Sequence, residues 1–255
     1  MERYKHFHKY FNIQRVNNPQ TLEEALRLRY QVYCLEKRYE NAEFFPDGME
    51  KDIFDCRADH SIIRHRETNQ VIGAVRLVMT GANPGELLPI EKHFCLNRKE
   101  LSGKLPIDRR TIGEVSRFAI SKEFRMVLNE QAGSKYDEDN NVELFGGKSK
   151  WIHFLYTQTV VGLISSVIEM SADHGLTHWV CLMEPSLSRL LSRFGFEFKP
   201  IGPAVSLKGN RMPYYAVIEE EMKRVRHEFP FVWDMVADNS QYSHFERNQR
   251  LASIA

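Results

Sequence analysis

Between residues 150 and 174, apolar side chains recur on nearly every side of a helix: Trp151, Ile152, Phe154, Leu155, Val160, Val161, Leu163, Ile164, Val167, Ile168 and Met170. A helix with one apolar stripe lies on a surface, whereas one that is apolar most of the way round has to be enclosed, here against a sheet. Gly175 supplies its stop, and residues 177 to 183 form a continuous apolar strand. Pro185 opens a second helix over residues 186 to 194, closed by Gly195. A buried helix that feeds a strand and then a helix sets the class as α/β (α+β), and 255 residues suffice for a core that folds unaided.

Charge narrows the functional classes. The formal net charge is +1, with no basic field for nucleic acid and no acidic tail. The cysteines Cys34, Cys56, Cys95 and Cys181 include no close pair, which reads as reduced packing residues of a cytoplasmic protein and gives no metal centre. The first residues lack a signal-peptide core, and no uninterrupted apolar run reaches the about 18 residues of a membrane span.

Ahead of the buried helix, residues 11 to 16 alternate as a first strand, and a helix capped by Thr21 and Glu24 is expected to run to about Glu36. Arg29 lies near one edge of its apolar stripe, the place of a snorkelling surface residue. Residues 38 to 57 form a long loop whose Phe44, Phe45 and Phe54 need burial, and which carries Glu50, Asp52 and Asp55. Those carboxylates suit a solvated surface, a divalent-cation site or the floor of a cation-binding pocket. Residues 60 to 64 and 71 to 78 read as a hairpin, with Arg76 interrupting the second run. A short helix is expected near residues 89 to 94, and residues 122 to 148 read as a polar excursion. Final strands are expected at 196 to 198 and 214 to 218, followed by a helix over 220 to 236 broken at Pro230. The division expected is a domain of residues 1–220 and a C-terminal extension of residues 221–255.

Residues 114 to 121, Glu-Val-Ser-Arg-Phe-Ala-Ile-Ser, put Glu114 and Arg117 in a run that otherwise reads as a buried strand. Ionised groups are almost never fully buried unpaired. Either the two make a structural ion pair across a sheet or Glu114 is an acid or base in a cleft.

The order of elements resembles the N-acetyltransferase-like (GNAT) superfamily, which implies a mixed, mostly antiparallel central sheet flanked by helices. A closer resemblance is carried by Leu28-Arg29-Tyr-Gln-Val32-Tyr33, Glu50-Lys-Asp52-Ile-Phe-Asp55, His60, Gly73-Ala-Val-Arg76-Leu77 and Glu114-Val-Ser-Arg117-Phe118. In that order these elements are similar to the autoinducer (acyl-homoserine lactone) synthases, the N-acyl amino acid synthases and the PEP-CTERM/exosortase-associated acyltransferases, over roughly residues 20 to 200. The resemblance implies that Arg29, Glu50, Asp52, Asp55, Arg76 and Arg117 surround an acceptor pocket with Glu114 as catalytic base. Asp52 or Glu50 would hold an ammonium group, and Arg29 or Arg76 would pair with the acidic loop or take an acceptor carboxylate.

Two departures shape the expectation. Autoinducer synthases carry a tryptophan in the loop after the first helix, where residues 37 to 45 here offer only Tyr39, Phe44 and Phe45, which disfavours S-adenosylmethionine as acceptor. A coenzyme A pyrophosphate cradle would have only Gly146-Gly147-Lys148 to form it. The resemblance therefore implies an N-acyltransferase that takes a fatty acyl group from the phosphopantetheine of an acyl carrier protein, rather than from acyl-CoA, to an amino acid or similar small amine. Acyl-homoserine lactone synthesis and a non-catalytic binding module are the alternatives. For Glu114 and Arg117 to share a pocket, three apart on a strand, a β-bulge is required between them.

Overall fold

The computed structural model describes residues 7–81, 86–94, 108–124, 148–206 and 209–237. The polar excursion and the Gly146-Gly147 pair fall almost wholly outside them. Strand β1 (Phe11–Arg15) leads into helix α1 (Pro19–Tyr30), whose N-cap is Asn18 rather than Thr21. The Asn18 side chain accepts the Thr21 N–H at 2.9 Å, and Pro19 occupies the first turn, where no N–H is needed. The coil continues to Glu36 as a wider π turn over Gln31–Glu36. Strands β2 (Ala58–His65) and β3 (Val71–Met79) form the expected hairpin, and α2 (Pro89–Phe94) is the expected short helix. Then follow β4 (Ile112–Ile120), α3 (Lys148–Asp173), β5 (His178–Met183) and α4 (Pro185–Ser192).

The end of the chain departs from expectation. Phe196 to Phe198 form no strand. Their place in the sheet is taken by the two-residue β6 (Lys199–Pro200) and β7 (Val205–Ser206), both paired with β8 (Asn210–Val217). Phe196 and Phe198 are buried in the core instead. Helices α5 (Ile218–Glu228) and α6 (Pro230–Ala237) break at Pro230 and add Met222, Val225, Val232, Met235 and Val236 to the main core.

The sheet runs β1-β2-β3-β4-β5-β8-β6 and is antiparallel except between β4 and β5. On one face α3 packs on Ile63, Val75, Leu77 and Val115. It is the one described helix long and apolar enough to cross a membrane, yet most of it is buried within the protein. On the other face α1 packs on Ile62, Ala74 and Ala119 through Ala25, Leu28, Val32 and Tyr33. The period of two along β3 thus sends Val75 and Leu77 to α3, and Ala74, Arg76 and Val78 to the side of α1 and the long loop.

Pairing between β4 and β5 is confined to Ile112–Glu114 against His178–Val180. Beyond Glu114 the two strands part, and the fold opens a cleft in the middle of its sheet.

Candidate active site

The helix–loop face of the sheet gathers every charged residue singled out in the sequence. Arg29 is not a snorkelling surface residue; it is 1% exposed. Its Nε donates to Glu50 Oε2 at 2.7 Å and its Nη1 to Asp55 Oδ1 at 2.7 Å. Arg76, also buried, donates from Nη1 to Asp52 at 2.6 Å and Asp55 at 2.7 Å, and from Nε to the Ser116 hydroxyl at 3.0 Å. Arg117 donates to both oxygens of Glu50, at 2.8 Å from Nη2 to Oε1, and lies 5.3 Å from the Tyr33 ring centre.

Three arginines and three carboxylates therefore form one alternating lattice. Of the roles left open for the loop, a solvated surface is excluded, and no group of His, Cys, Asp and Glu fit for a metal occurs among the described residues. The choice between Arg29 and Arg76 as partner of the loop resolves as both. The loop also braces itself: Asp55 accepts the Asp52 N–H at 2.7 Å, and Asp52 accepts that of Phe54 at 2.9 Å. Its Phe54 is buried, but Phe44 is 75% exposed, contrary to the expectation that every aromatic of the loop finds cover.

Electrostatics follow from this pairing. Burial alone would raise the carboxyls of Glu50, Asp52 and Asp55, but the adjacent guanidinium groups outweigh it and hold all three below their ordinary values. His60, 3.6 Å from Asp55, is driven down to about 4 by burial and by the Arg29 charge, so it is neutral above that pH.

Glu114 stands apart. Among the described residues it pairs with no cation, and its Oε2 accepts the Ile90 N–H at 2.7 Å. The ion-pair reading of Glu114 with Arg117 is thus incorrect, because Arg117 is committed to Glu50. Burial raises the Glu114 carboxyl to about 8, against the Ile90 hydrogen bond and the charges of Arg76 and Arg117.

The expected β-bulge is present but displaced. The β3–β4 ladder is regular through Glu114, Val115 and Ser116, opposite Val78, Leu77 and Arg76, and the register slips before Ala119 opposite Ala74. One residue, Val75, therefore faces two, Arg117 and Phe118. Arg117 adopts φ 50°, a left-handed conformation that costs a non-glycine residue about 1 kcal/mol or more. The turn puts Arg117 on the same face as Ser116, while Phe118 packs toward the α3 core.

Two cavities meet at this bulge. The larger, about 300 Å³, enters where β4 and β5 part and runs between Val115, Phe118, Val160, Ile164, Leu187 and Leu190. The smaller, about 80 Å³, is lined by Glu114, Asp52, Glu40, Arg76, Arg117 and Arg211. Tyr33, Ser116, Arg117, Leu182 and Arg211 line both. An apolar slot thus abuts a charged pocket, with Glu114 in the wall of the latter. Arg211 went unnoticed in the sequence because the last strand was expected to start at Tyr214; Tyr33 and Ser116 lay inside recognised motifs without a role. Cys181 lines the larger cavity, but burial and then Glu114 raise its thiol well above the ordinary value, so it offers no thiolate nucleophile.

Comparison with known proteins agrees with this architecture. Residues 28–131 match the family model described as an acetyltransferase (GNAT) domain. The structure is similar to the CoA-dependent acyl-homoserine lactone synthase BjaI solved with MTA (TM-score 0.57, 20% identity, 89% of this chain and 90% of that one). It is likewise similar to the AHL synthase LasI (0.55, 19%, 82% and 89%). A third similar structure is FeeM, an N-acyl amino acid synthase from uncultured soil microbes (0.53, 15%, 84% and 93%). No curated protein sequence matches. The fold is that of the GNAT acyltransferases, in the form shared by these synthases.

Proposed function

We propose that this chain, a GNAT-type acyltransferase by domain match and fold, moves a fatty acyl group from an acyl carrier protein thioester to the amino group of an amino acid or similar small amine. The observation that carries the reading is Glu114: a buried carboxyl raised to about 8 and placed where a charged pocket abuts an apolar slot.

The slot between β4 and β5 suits an acyl chain, and the parted strand edges leave backbone N–H groups beyond Glu114 able to face the thioester oxygen as it gains charge. The acceptor arrives as an ammonium ion, drawn by Asp52 and Glu40. Glu114, deprotonated, removes one proton, directly or through water. The freed amine attacks the thioester carbon, the C–N bond forms, and the C–S bond breaks. The nitrogen then sheds a second proton as the thiol leaves protonated, so thioester and ammonium become amide, thiol and one proton released. Ordinary carboxylates are too weak as bases for an ammonium; burial brings Glu114 nearer to it in proton affinity. With the Cys181 thiol raised well above its ordinary value, the reading uses no covalent intermediate on it.

The test presents acyl carrier protein and coenzyme A thioesters with pooled amino acids and amines, and reads products by mass spectrometry. Amides formed faster from the carrier protein support the reading; amides only from coenzyme A correct the donor. The second reading, acyl-homoserine lactone synthesis, is favoured by the likeness to BjaI, solved with SAM and isopentyl-CoA. Lactone with methylthioadenosine, formed when S-adenosylmethionine is supplied, establishes it instead. No acylated product in any arm overturns both.

A further inference from the structure

Resting on the acyltransferase reading with Glu114 as its base, we infer that Glu91 and Arg109 are positioning residues: together they latch the first turn of α2 so that the Ile90 N–H stays aimed at the Glu114 carboxyl.

The first turn of a helix carries backbone N–H groups with no partner inside the helix. Leu88 precedes α2, and its carbonyl accepts the Lys92 N–H at 3.1 Å, which makes it the N-cap. Glu91 reaches back to accept the Leu88 N–H at 2.7 Å, the glutamate half of a capping box. Pro89 has no N–H to satisfy, and the next one, on Ile90, goes to Glu114 Oε2 at 2.7 Å. A helix of six residues is too short to hold its own first turn. The hold comes from Arg109, whose Nη1 and Nη2 donate to the two Glu91 oxygens, the second at 2.7 Å. Arg109 begins the turn Arg109–Thr111 that leads directly into β4, and its carbonyl accepts the Thr80 hydroxyl at 2.9 Å from the end of β3. The latch thus ties α2 to the root of the strand that carries Glu114. Pro89 and Ile90 also line the charged pocket, so the turn held in this way is part of its wall.

An N–H donated to a carboxylate favours its ionised form, and the Ile90 bond is the largest influence opposing burial on Glu114. As a bare charge Glu91 acts the other way, raising Glu114 by less than the Ile90 bond lowers it. The other charged or titratable groups around Glu114 among the described residues are Arg76 of β3, Arg117 of β4 and Cys181 of β5. Tyr33, Glu40, Asp52 and Arg211 stand on the walls of the same pocket. None of these lies on α2 or on the Arg109 turn, so variants of the latch leave them in place. If Glu91 holds the turn, Glu91→Ala releases the Ile90 N–H and raises Glu114. If Glu91 acts as a charge alone, the same variant lowers it.

The experiment follows kcat/KM against pH, read as amide formation from a dilute mixture of amino acids with the more active of the carrier protein and coenzyme A thioesters. It compares wild type, Glu91→Ala, Arg109→Met and Arg109→Lys. Beside it, carbon NMR of glutamate-labelled protein titrates the Glu114 carboxyl itself, identified by its loss in Glu114→Gln and read from folded protein only. The wild-type limb lies near 8. Glu91→Ala and Arg109→Met are expected to move it up by about one pH unit, the equivalent of one hydrogen bond to a charged group, and Arg109→Lys by less. A limb that stays in place or moves down in Glu91→Ala overturns the inference, whatever the loss of stability, and leaves the acyltransferase reading standing. No amide from the wild type at any pH rejects that reading, and the NMR titration then decides the latch. It stands if the Glu114 carboxyl moves up in Glu91→Ala and falls if it does not.

Discussion

Glu114 and Arg29 show how far the same chemistry diverges with its partners. Both are buried, but Arg29 is charge-matched and Glu114 is not, so one stabilises an ion lattice while the other stores a raised proton affinity. The sign for Glu114 follows from proton counting. Between the ordinary value of 4.5 and about 8, the unfolded chain has released this proton and the folded chain retains it. Stability therefore falls as pH rises through that window, at about 1.4 kcal/mol per pH unit from this group. Glu114→Gln keeps an acceptor for the Ile90 N–H and removes the ionisation. Urea denaturation at pH 8 should show the variant at least as stable as wild type, while turnover drops by about 100-fold or more, the usual contribution of a general base. Retained turnover would reject Glu114 as base. In the wild type, kcat/KM should rise with pH and level off above about 8. Arg29→Met leaves Glu50 with Arg117 alone and Asp55 with Arg76 alone in a buried lattice, and should cost about 3 kcal/mol in the same denaturation assay.

At the scale of elements, β4 does most to shape the site. Its bulge gives Arg117 φ 50°, turning it onto the face of Ser116 and the acidic loop. Arg117→Val should destabilise more than Arg117→Gly by about 1 to 2 kcal/mol, because both lose the guanidinium but only valine pays for the left-handed backbone. Equal losses in a urea titration would place the strain elsewhere. The splay of β4 from β5 creates the apolar slot, which α4 lines through Leu187 and Leu190. Leu187→Trp should fill part of it, shifting the preferred donor to shorter acyl chains in a competition assay, with little change in acceptor preference. The bulge was expected from the need to bring Glu114 and Arg117 together, yet it lies one step later. The sequence carries the requirement, but the slip is fixed by which β3 residue the strand skips past.

For the whole molecule, the lattice acts in the opposite direction to the raised carboxyls of Glu114 and Glu221. Glu50, Asp52 and Asp55 are lowered, so their contribution is full only above their ordinary values of 4.5 and 3.8 and is lost as pH falls through their folded values. Glu114 and also Glu221, which burial raises to about 7 despite Arg224 at 2.7 Å, weaken the fold as pH rises. Stability measured from pH 3 to 9 should fall below about pH 4.5, where the lattice takes up protons, and again above about pH 6.5, where the lowered His60 no longer offsets Glu114, and Glu114→Gln should flatten the alkaline limb.

Much of this architecture was legible in the chain. The all-round apolar helix, the short helix at Pro89, the hairpin around Arg76 and the order of the charged motifs follow from periodicity and residue type, which are local properties. Which charges belong together came from the family resemblance of their motifs rather than from periodicity: Arg29, Glu50, Asp52, Asp55, Arg76 and Arg117 do meet. Tertiary structure decided who holds whom, because pairing depends on distances between elements far apart in sequence, such as Arg117 with Glu50. It decided that Glu114 pairs with no cation among the described residues, that Phe196 and Phe198 enter the core rather than a strand, and that Arg211 lines the cleft from β8. A lone arginine at the start of a strand carries no local signal; only the folding of β8 against β5 brings it opposite Glu114.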